Sequence, residues 1–412
     1  MNNLNNLINQ GNAKLALEKI NQEILENKSN LNLFYLKAKA EFSLNDYKNC
    51  VTTITQIIEY NKNDYTIYNL RGLCFYYLGR QNDAIQDFKK TILIKPDFDT
   101  PYNFIGSILF NSGRIKNALY YFNECLKVNK KNILARNNII NALTTYNIEN
   151  EDNNYFKCNN EIKNIKINFD LNKNIEEKIL TFYKLSNNII DKYLGEIVYN
   201  DTQLYKRNSI FLNCERHKKV FEEFKAIPDF CFGCFKVQIN VQNVIDLIKL
   251  YFFFALYEFK EDVTRKCMVE LRPNIKGNYK GLIYCKNLKQ ALSLEIDLKK
   301  NLANYLNSTF EILIKKGCTE FSNTYPEYKK FDSKQNEIGN GWNKFEEIID
   351  KKYPELSMKK VSNESLGGFF LKDILVIRNW IYFAKSTSDN TYKKISEEVY
   401  SSKFIDNKLS LK

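Results

Sequence analysis

Cys231-Phe232-Gly233-Cys234 sets two thiols at a spacing that one soft cation can bridge, and Cys214-x-x-His217 just upstream adds a third thiol and the chain's single histidine. Four such donors match the tetrahedron that Zn²⁺ prefers. A competing set joins Cys231 and Cys234 to Cys285 and Cys318, an all-sulfur set that suits zinc or, less readily, an iron–sulfur cluster. The same Cys-x-x-Cys pair also fits a redox dithiol, in which a nearby cation lowers one thiol's pKa, Lys236 being the nearest in sequence. A structural reading stands beside these. Cysteine packs as a small hydrophobe, and Cys267, Cys285 and Cys318 share strand parity with Val269, Leu271, Ile283, Ile312 and Ile314. Spacing alone leaves these readings open, and His217, in a helical stretch over 216–224, also suits an ordinary half-buried position.

Other chemistries find less support. A Ser or Cys triad would have to use His217, and no nucleophile-elbow pattern accompanies it. No phosphate-binding loop is present: Gly339-Asn340-Gly341 and Gly367-Gly368 lack the lysine-serine ending and are expected as turns before helices over 342–352 and 371–385. Glu270 and Arg272 suit a catalytic carboxylate and its clamp, or equally the charged outer face of a sheet.

The elements expected to position these groups alternate in a telling order. Phe235, Val237, Ile239 and Val241 alternate with Lys236, Gln238 and Asn240, as a half-buried strand requires. A helix over 243–258, strands over 265–272 and 280–285, a helix over 288–306 and a strand over 310–318 complete a βαββαβ order, the ferredoxin-like arrangement. That fold brings the starts of its first two strands and the ends of its last two to one edge. Cys231, Cys234, Cys267, Cys285 and Cys318 are therefore expected on a single rim, with Cys214 and His217 leading into it. RNA-recognition motifs share this order, and Lys280-Gly281 with Tyr284 partly matches their third strand. Leu282, Asn287 and Gln238 stand where stacking aromatics are needed, so the ~1–3 kcal/mol per stacked base is largely lost and nucleic acid is a weak candidate partner.

The first third of the chain obeys a different rule. Ala16, Cys50, Ala84 and Ala118 fall 34 residues apart; Gly11, Asn45, Gly79 and Gly113 precede them by five, and Ile20, Ile54, Phe88 and Phe122 follow by four. Ala38, Gly72 and Gly106 keep the same step, and Pro96 closes one repeat. Residues 1–146 thereby resemble the tetratricopeptide repeat (TPR) family, which implies an all-α solenoid of stacked helical hairpins that binds a protein or peptide segment. Within that resemblance Asn69, Asn103 and Asn137, with Tyr35 in the preceding repeat, occupy one position on successive first helices. Their amides are expected to hold an extended backbone in the concave groove, flanked by Lys39, Tyr76, Tyr77 and Phe110. A full set of basic residues for a carboxylate clamp is missing. Asparagine is also abundant throughout, so polar solvation explains the same ladder. Cys50, Cys74 and Cys125 fall on tightly packed solenoid positions and read as core.

Composition bounds the rest. A hydrophobic content of 44% and 14% aromatics demand a sizeable folded core. The net charge of +13 is spread, +6 in residues 1–146 and +7 beyond, which argues against a nucleic-acid patch. The start of the chain is Asn-rich without an apolar run, and the longest apolar run, 250–257, is too short to span a bilayer. A cytoplasmic protein without a transmembrane segment is expected, with cysteines reduced or metal-bound rather than in a disulfide framework. The organisation expected is a solenoid over 1–146, a polar linker over 147–174, an α+β domain over 175–325 with a cysteine-rich rim, and a helical C-terminal extension over 326–412. Phrases such as Phe230 to Gln238 and Ile377-Arg378-Asn379-Trp380 resemble uncharacterised regions that follow TPR repeats in bacterial proteins, a likeness that implies no activity. The functional expectation is a TPR scaffold whose attached domain holds a structural metal. A thiol- or metal-dependent enzyme acting on a recruited partner is the first alternative, and an RNA-binding module the second.

Overall fold

A computed structural model describes the chain except for residues 1, 28, 149–152, 172–174, 207–211, 262, 273–274, 331–340, 354–355, 357–364 and 411–412. Gly339 and Asn340 thus lie outside the described residues. The rest separates into two units, Met1–Ile139 and Ile140–Lys412.

The first unit stacks hairpins α1 (Asn2–Asn9) with α2 (Ala13–Glu26), α3 (Leu31–Ser43) with α4 (Tyr47–Tyr60), α5 (Tyr65–Tyr77) with α6 (Gln81–Ile94), and α7 (Thr100–Asn111) with α8 (Ile115–Val128). A ninth helix, α9 (Ile133–Ala142), follows. Each hairpin turns at the slot five residues before the small residue. Gly11, Asn45, Gly79 and Gly113 there have φ of 83°, 59°, 74° and 78°, left-handed backbone that glycine adopts without strain and asparagine tolerates best among the rest. Arg80 N–H reaches back to Phe75 C=O at 2.8 Å and Arg114 N–H to Leu109 C=O at 2.9 Å, which closes the first helix and aims the second. The small slots let the paired helices touch. A Cβ on Gly72 would stand 2.8 Å from the Phe88 ring, and one on Gly106 2.5 Å from Phe122. Ala16, Cys50, Ala84 and Ala118 have no exposed surface.

The second unit opens with α10 (Asn154–Lys163) and α11 (Ile175–Tyr193). Then come β1 (Gln203–Lys206), α12 (Cys214–Phe224), the single turn α13 (Asp229–Gly233), β2 (Phe235–Val241), α14 (Val244–Leu256), β3 (Arg265–Val269), β4 (Tyr279–Cys285), α15 (Leu288–Ala303) and β5 (Glu311–Lys316). The chain ends through α16 (Phe321–Thr324), α17 (Asn343–Lys352), α18 (Leu371–Ser386) and α19 (Lys403–Leu409). The five strands form one sheet in the order β1-β3-β4-β2-β5, every neighbouring pair antiparallel. Phe235, Val237, Ile239 and Val241 point to the helix-covered face with Cys267, Val269, Ile283 and Cys285. There they meet α14, eleven of whose thirteen residues are buried. Gly281 in β4 lies under that helix so closely that a Cβ would come within 2.5 Å of Leu250.

Two expectations about organisation differ from this arrangement. Within the stretch expected to be a linker, α10 buries Phe156, Cys158, Asn159 and Ile162, because its apolar residues recur at helical spacing inside an Asn-rich, outwardly polar segment. The region expected as an extension contributes α18 to the centre of the core: Trp380 is fully buried and its indole donates to Thr202 C=O at 2.8 Å.

Candidate functional site

The thiols sort onto two faces of the sheet end. Strand alternation turns Cys267 and Cys285 toward the helices, where both are wholly buried. Cys267 also sits inside β3, opposite Leu204 and Gly281, and not at its start. The other three gather where β2 begins and β5 ends. Gly317 N–H donates to Cys234 C=O at 3.0 Å and continues the β2–β5 ladder one step. A side chain on Gly317 would overlap Cys234 Sγ. Cys318 then packs into an apolar cluster with Cys231, Phe232, Phe321, Tyr328 and Ile227. Cys231 is pinned from both sides, its N–H to Pro228 C=O at 2.9 Å and its C=O by the Tyr328 hydroxyl at 2.8 Å. Lys316 ties the same turn by donating to Phe232 C=O at 2.5 Å.

These thiols are not equivalent. Hydrogen bonding to Cys318, followed by burial, holds the Cys231 proton in place and drives its pKa far up. Cys318, partly exposed, moves the other way: the hydrogen bond from Cys231 lowers its pKa against burial and then the Glu320 carboxylate, and the Lys236 ammonium adds the smallest share of the lowering. Burial pushes Cys234 to about 12, whereas Cys214, at the start of α12, is exposed. Lys236 donates to Gly317 C=O at 3.1 Å, so its charge is fixed against the β5 end; burial lowers its own pKa.

His217 does not join them. It lies buried on α12 with its ring stacked on Phe230, centroids 5.3 Å apart, and burial, then the adjacent Arg216, lower its pKa to about 4. Arg216 bridges α12 to α17 through Asp350 and Glu346, each at 2.6 Å. Among the described residues no group of three or more His, Cys, Asp or Glu is arranged to hold a metal ion. Neither four-ligand set assembles: the first lacks His217, and the second lacks Cys285, which faces the core.

On the open face of the sheet Glu270 is buried and bound by Arg272 at 2.8 Å and Lys280 at 3.0 Å. Burial works against its charge, but Arg272 and Lys280 outweigh it and hold the carboxyl at about 2. All its acceptor capacity is engaged within the protein, so it acts as a buried ion cluster that ties β3 to β4. This cluster was legible as a pair, Glu270 and Arg272; Lys280 follows only from the β3–β4 register.

In the solenoid the equivalent positions behave differently from one another. The Asn103 carbonyl accepts from Asn138 Nδ2 at 3.0 Å, and the Tyr35 hydroxyl lies beside Thr66. Both contacts run to the first helix of the following repeat. Asn69 and Asn137 keep buried side-chain carbonyls without a partner among the described residues. Lys39 donates to Asn5 at 2.6 Å. Tyr76 and Tyr77 belong to an aromatic row: Tyr47 stacks on Tyr77 at 5.0 Å, Tyr77 meets Tyr76 at 5.4 Å, and Tyr76 meets Phe104 at 5.1 Å. Tyr77 is 49% exposed, and Phe110 is partly buried.

The fold and these sites define a helical-repeat protein with an attached α+β unit. Two of the hairpins match the tetratricopeptide repeat family's profile, over residues 65–98 and 100–132, and repeats of this kind support a protein-interaction scaffold. No protein of curated function matches the chain. Among solved structures it is similar to MamA from Desulfovibrio magneticus RS-1, with 13% identity and a TM-score of 0.32 over 34% of this chain and 80% of that one. The Arabidopsis OM64 TPR domain is 23% identical, with a TM-score of 0.27 over 27% of this chain and 93% of that one. No helix among the described residues is long and apolar enough to cross a membrane.

Proposed function

We propose that this chain is a cytoplasmic scaffold whose solenoid holds an extended segment of a partner polypeptide along its first helices. The observation that carries the reading is the tandem of matched repeats at 65–98 and 100–132, because stacked repeats present equivalent side chains at regular height along one surface. Asn69 and Asn137 are the rungs of the ladder, since their carbonyls have no partner among the described residues and an amide both donates to and accepts from a peptide backbone. Asn103 instead spends its carbonyl on Asn138 and stiffens the stack. Tyr76, Tyr77 and Phe110 supply contact area, and Lys39, whose described partner Asn5 is neutral, favours an acidic residue in the segment. We read the second unit as a ferredoxin-like sheet extended by β1, supported by the strand order and by the helices α14 and α15 that link its parallel pairs.

An array of extended peptides of graded charge, probed with the full chain, tests the reading. Acidic-containing segments should bind, and the double variant Asn69→Ala/Asn137→Ala should bind them at least tenfold more weakly with unchanged helical circular dichroism. Equal binding by the variant, or no peptide bound by the unaltered chain, rejects it.

A further inference from the structure

Among the described residues two pairs of thiols are hydrogen-bonded to each other, and they differ in their access to water. In the solenoid, Cys50 lies against Cys74, but both are wholly buried and Cys50 Sγ donates to Ala38 C=O at 3.1 Å. At the end of the sheet, Cys231 lies against Cys318 with Cys318 partly exposed. Both halves of that second contact are held by backbone bonds, Cys231 through Pro228 and Tyr328, and the residue before Cys318 through Cys234 and Lys236. Between those fixed points the two side chains pack in one apolar cluster with Phe232, Phe321 and Tyr328, so the sulfurs adjoin within a single pocket of the fold.

We propose that Cys318 and Cys231 form a dithiol redox centre, in which Cys318 is the nucleophile toward a hydroperoxide and Cys231 the thiol that resolves it. The chemistry balances within the pair and the peroxide. The Cys318 thiolate attacks the terminal peroxide oxygen; the S–O bond forms, the O–O bond breaks, and the leaving alkoxide or hydroxide takes a proton from water. Cys231 then attacks the sulfenic sulfur; the S–S bond forms, the S–O bond breaks, and the departing hydroxide leaves as water with the Cys231 proton. The dithiol loses two electrons and the peroxide gains them.

The surroundings fit these roles. Cys318 is the more exposed sulfur and lies within electrostatic reach of the Lys236 ammonium, whereas Cys231 is buried and keeps its proton next to the nucleophile until it is needed. The other titratable groups facing the pair are Glu320, Cys234 and Cys214, together with Tyr284 from β4 and Tyr328. The Glu320 carboxylate opposes the thiolate and the Lys236 ammonium favours it by less, so the hydrogen bond that Cys231 donates to the Cys318 sulfur is its main stabiliser. The inference is independent of the peptide groove: it rests on residues of the second unit alone.

The test uses the reduced full chain and an equimolar amount of hydrogen peroxide, followed by acid quenching, alkylation under denaturing conditions and peptide mass mapping. The expected product is a Cys231–Cys318 disulfide, with Cys50 and Cys74 recovered alkylated as an internal control. Cys231→Ser should leave a sulfenic acid on Cys318 that dimedone traps, and Cys318→Ser should slow peroxide consumption at least tenfold. Lys236→Met, checked for an unchanged fold by circular dichroism, should move the pH midpoint of Cys318 alkylation upward. Full recovery of alkylated Cys318 after peroxide, a disulfide to Cys234 in place of Cys231, or peroxide consumption unchanged in Cys318→Ser would overturn the proposal. Peptide-array binding measured on the same variants stays at the unaltered level, which separates failure here from failure of the scaffold reading.

Discussion

Cys50 with Cys74 and Cys231 with Cys318 are chemically the same pair of side chains, yet one is part of a core and the other sits at an edge. The solenoid pair occupies slots where two helices approach as closely as a small residue allows, so the sulfurs serve as hydrophobes. The sheet pair lies where a strand has run out of partners: β5 ends at Lys316, the ladder closes through Gly317, and Cys318 emerges beside a lysine. The difference teaches that a thiol contact carries chemistry only when solvent access and a charge accompany it.

The largest effect that separates the two pairs is the rate of alkylation in the folded state. Cys50 and Cys74 react only when their unit opens, and opening of a stable domain core is populated at a few parts per thousand or much less. Under native conditions iodoacetamide should therefore label Cys318 more than about a thousandfold faster than Cys50 or Cys74, read by mass spectrometry against time. Comparable rates would erase the distinction drawn above.

A second effect tests whether the rim depends on the acid-side behaviour of its neighbour α12. His217 is folded with a pKa of about 4, below its ordinary value of 6.5. Above pH 6.5 it is neutral in both states and adds no pH dependence. As pH falls from 6.5 to 4 the unfolded chain takes up a proton that the folded chain refuses, so stability falls by about 3 kcal/mol and levels off below 4. His217→Phe keeps the stack on Phe230 and should remove that part of the slope in urea titrations at several pH values. A variant with the unaltered slope would place its origin elsewhere. Glu270 adds a slope of the same sign at lower pH: with its carboxyl held at about 2, its contribution is fully present above its unfolded pKa and is lost progressively as pH falls from there through 2.

The third effect disturbs the solenoid pair alone. A methyl group on Gly72 would press into the Phe88 ring, and overpacking of this kind costs about 1–3 kcal/mol. Gly72→Ala should lower the thermal midpoint of the first unit and speed labelling of Cys50 and Cys74 by roughly five- to hundredfold, since about 1.4 kcal/mol is a factor of ten. Cys318 labelling should not change. Joint acceleration of both pairs would mean that the two units unfold together.

How much of this was legible depends on how local the determining contacts are. The 34-residue step exposes the solenoid because each slot answers to its own hairpin: Asn45 fills a left-handed turn as the glycines do, and Gly72 faces Phe88 within one repeat. The four longer strands were legible from alternation. β1 was not, since four residues, Gln203–Lys206, are too few to establish a period. Cys285 ends β4 as the alternation predicts, while Cys267 lies mid-strand in β3, and both face the core, as the parity they share with Ile283 and Val269 allows. Leu204, opposite Cys267, is the signal that β1 extends the sheet, but the pairing becomes visible only with the register in hand. Asn103 shows the same limit in the solenoid. Its step predicts a free amide, while its partner Asn138 stands one residue off the ladder at Asn137.

The smallest effect sharpens the contrast between a residue that holds the solenoid together and one that faces outward. Tyr77 stacks on Tyr47 and meets Tyr76 and Phe42, yet half of its surface is open. Aromatic pairs of this kind contribute about 0.5–1.5 kcal/mol beyond area, and the exposed half of the ring forfeits most of its burial term. Tyr77→Ala should therefore lower stability by about 1 kcal/mol, less than Gly72→Ala. Its larger consequence should fall on peptide binding, since the ring gives up contact area that a bound segment would cover. Calorimetric unfolding and peptide-array affinity measured on the same sample decide the matter: a loss of affinity greater than the loss of stability assigns Tyr77 to the binding surface, and a loss of stability alone assigns it to the stack.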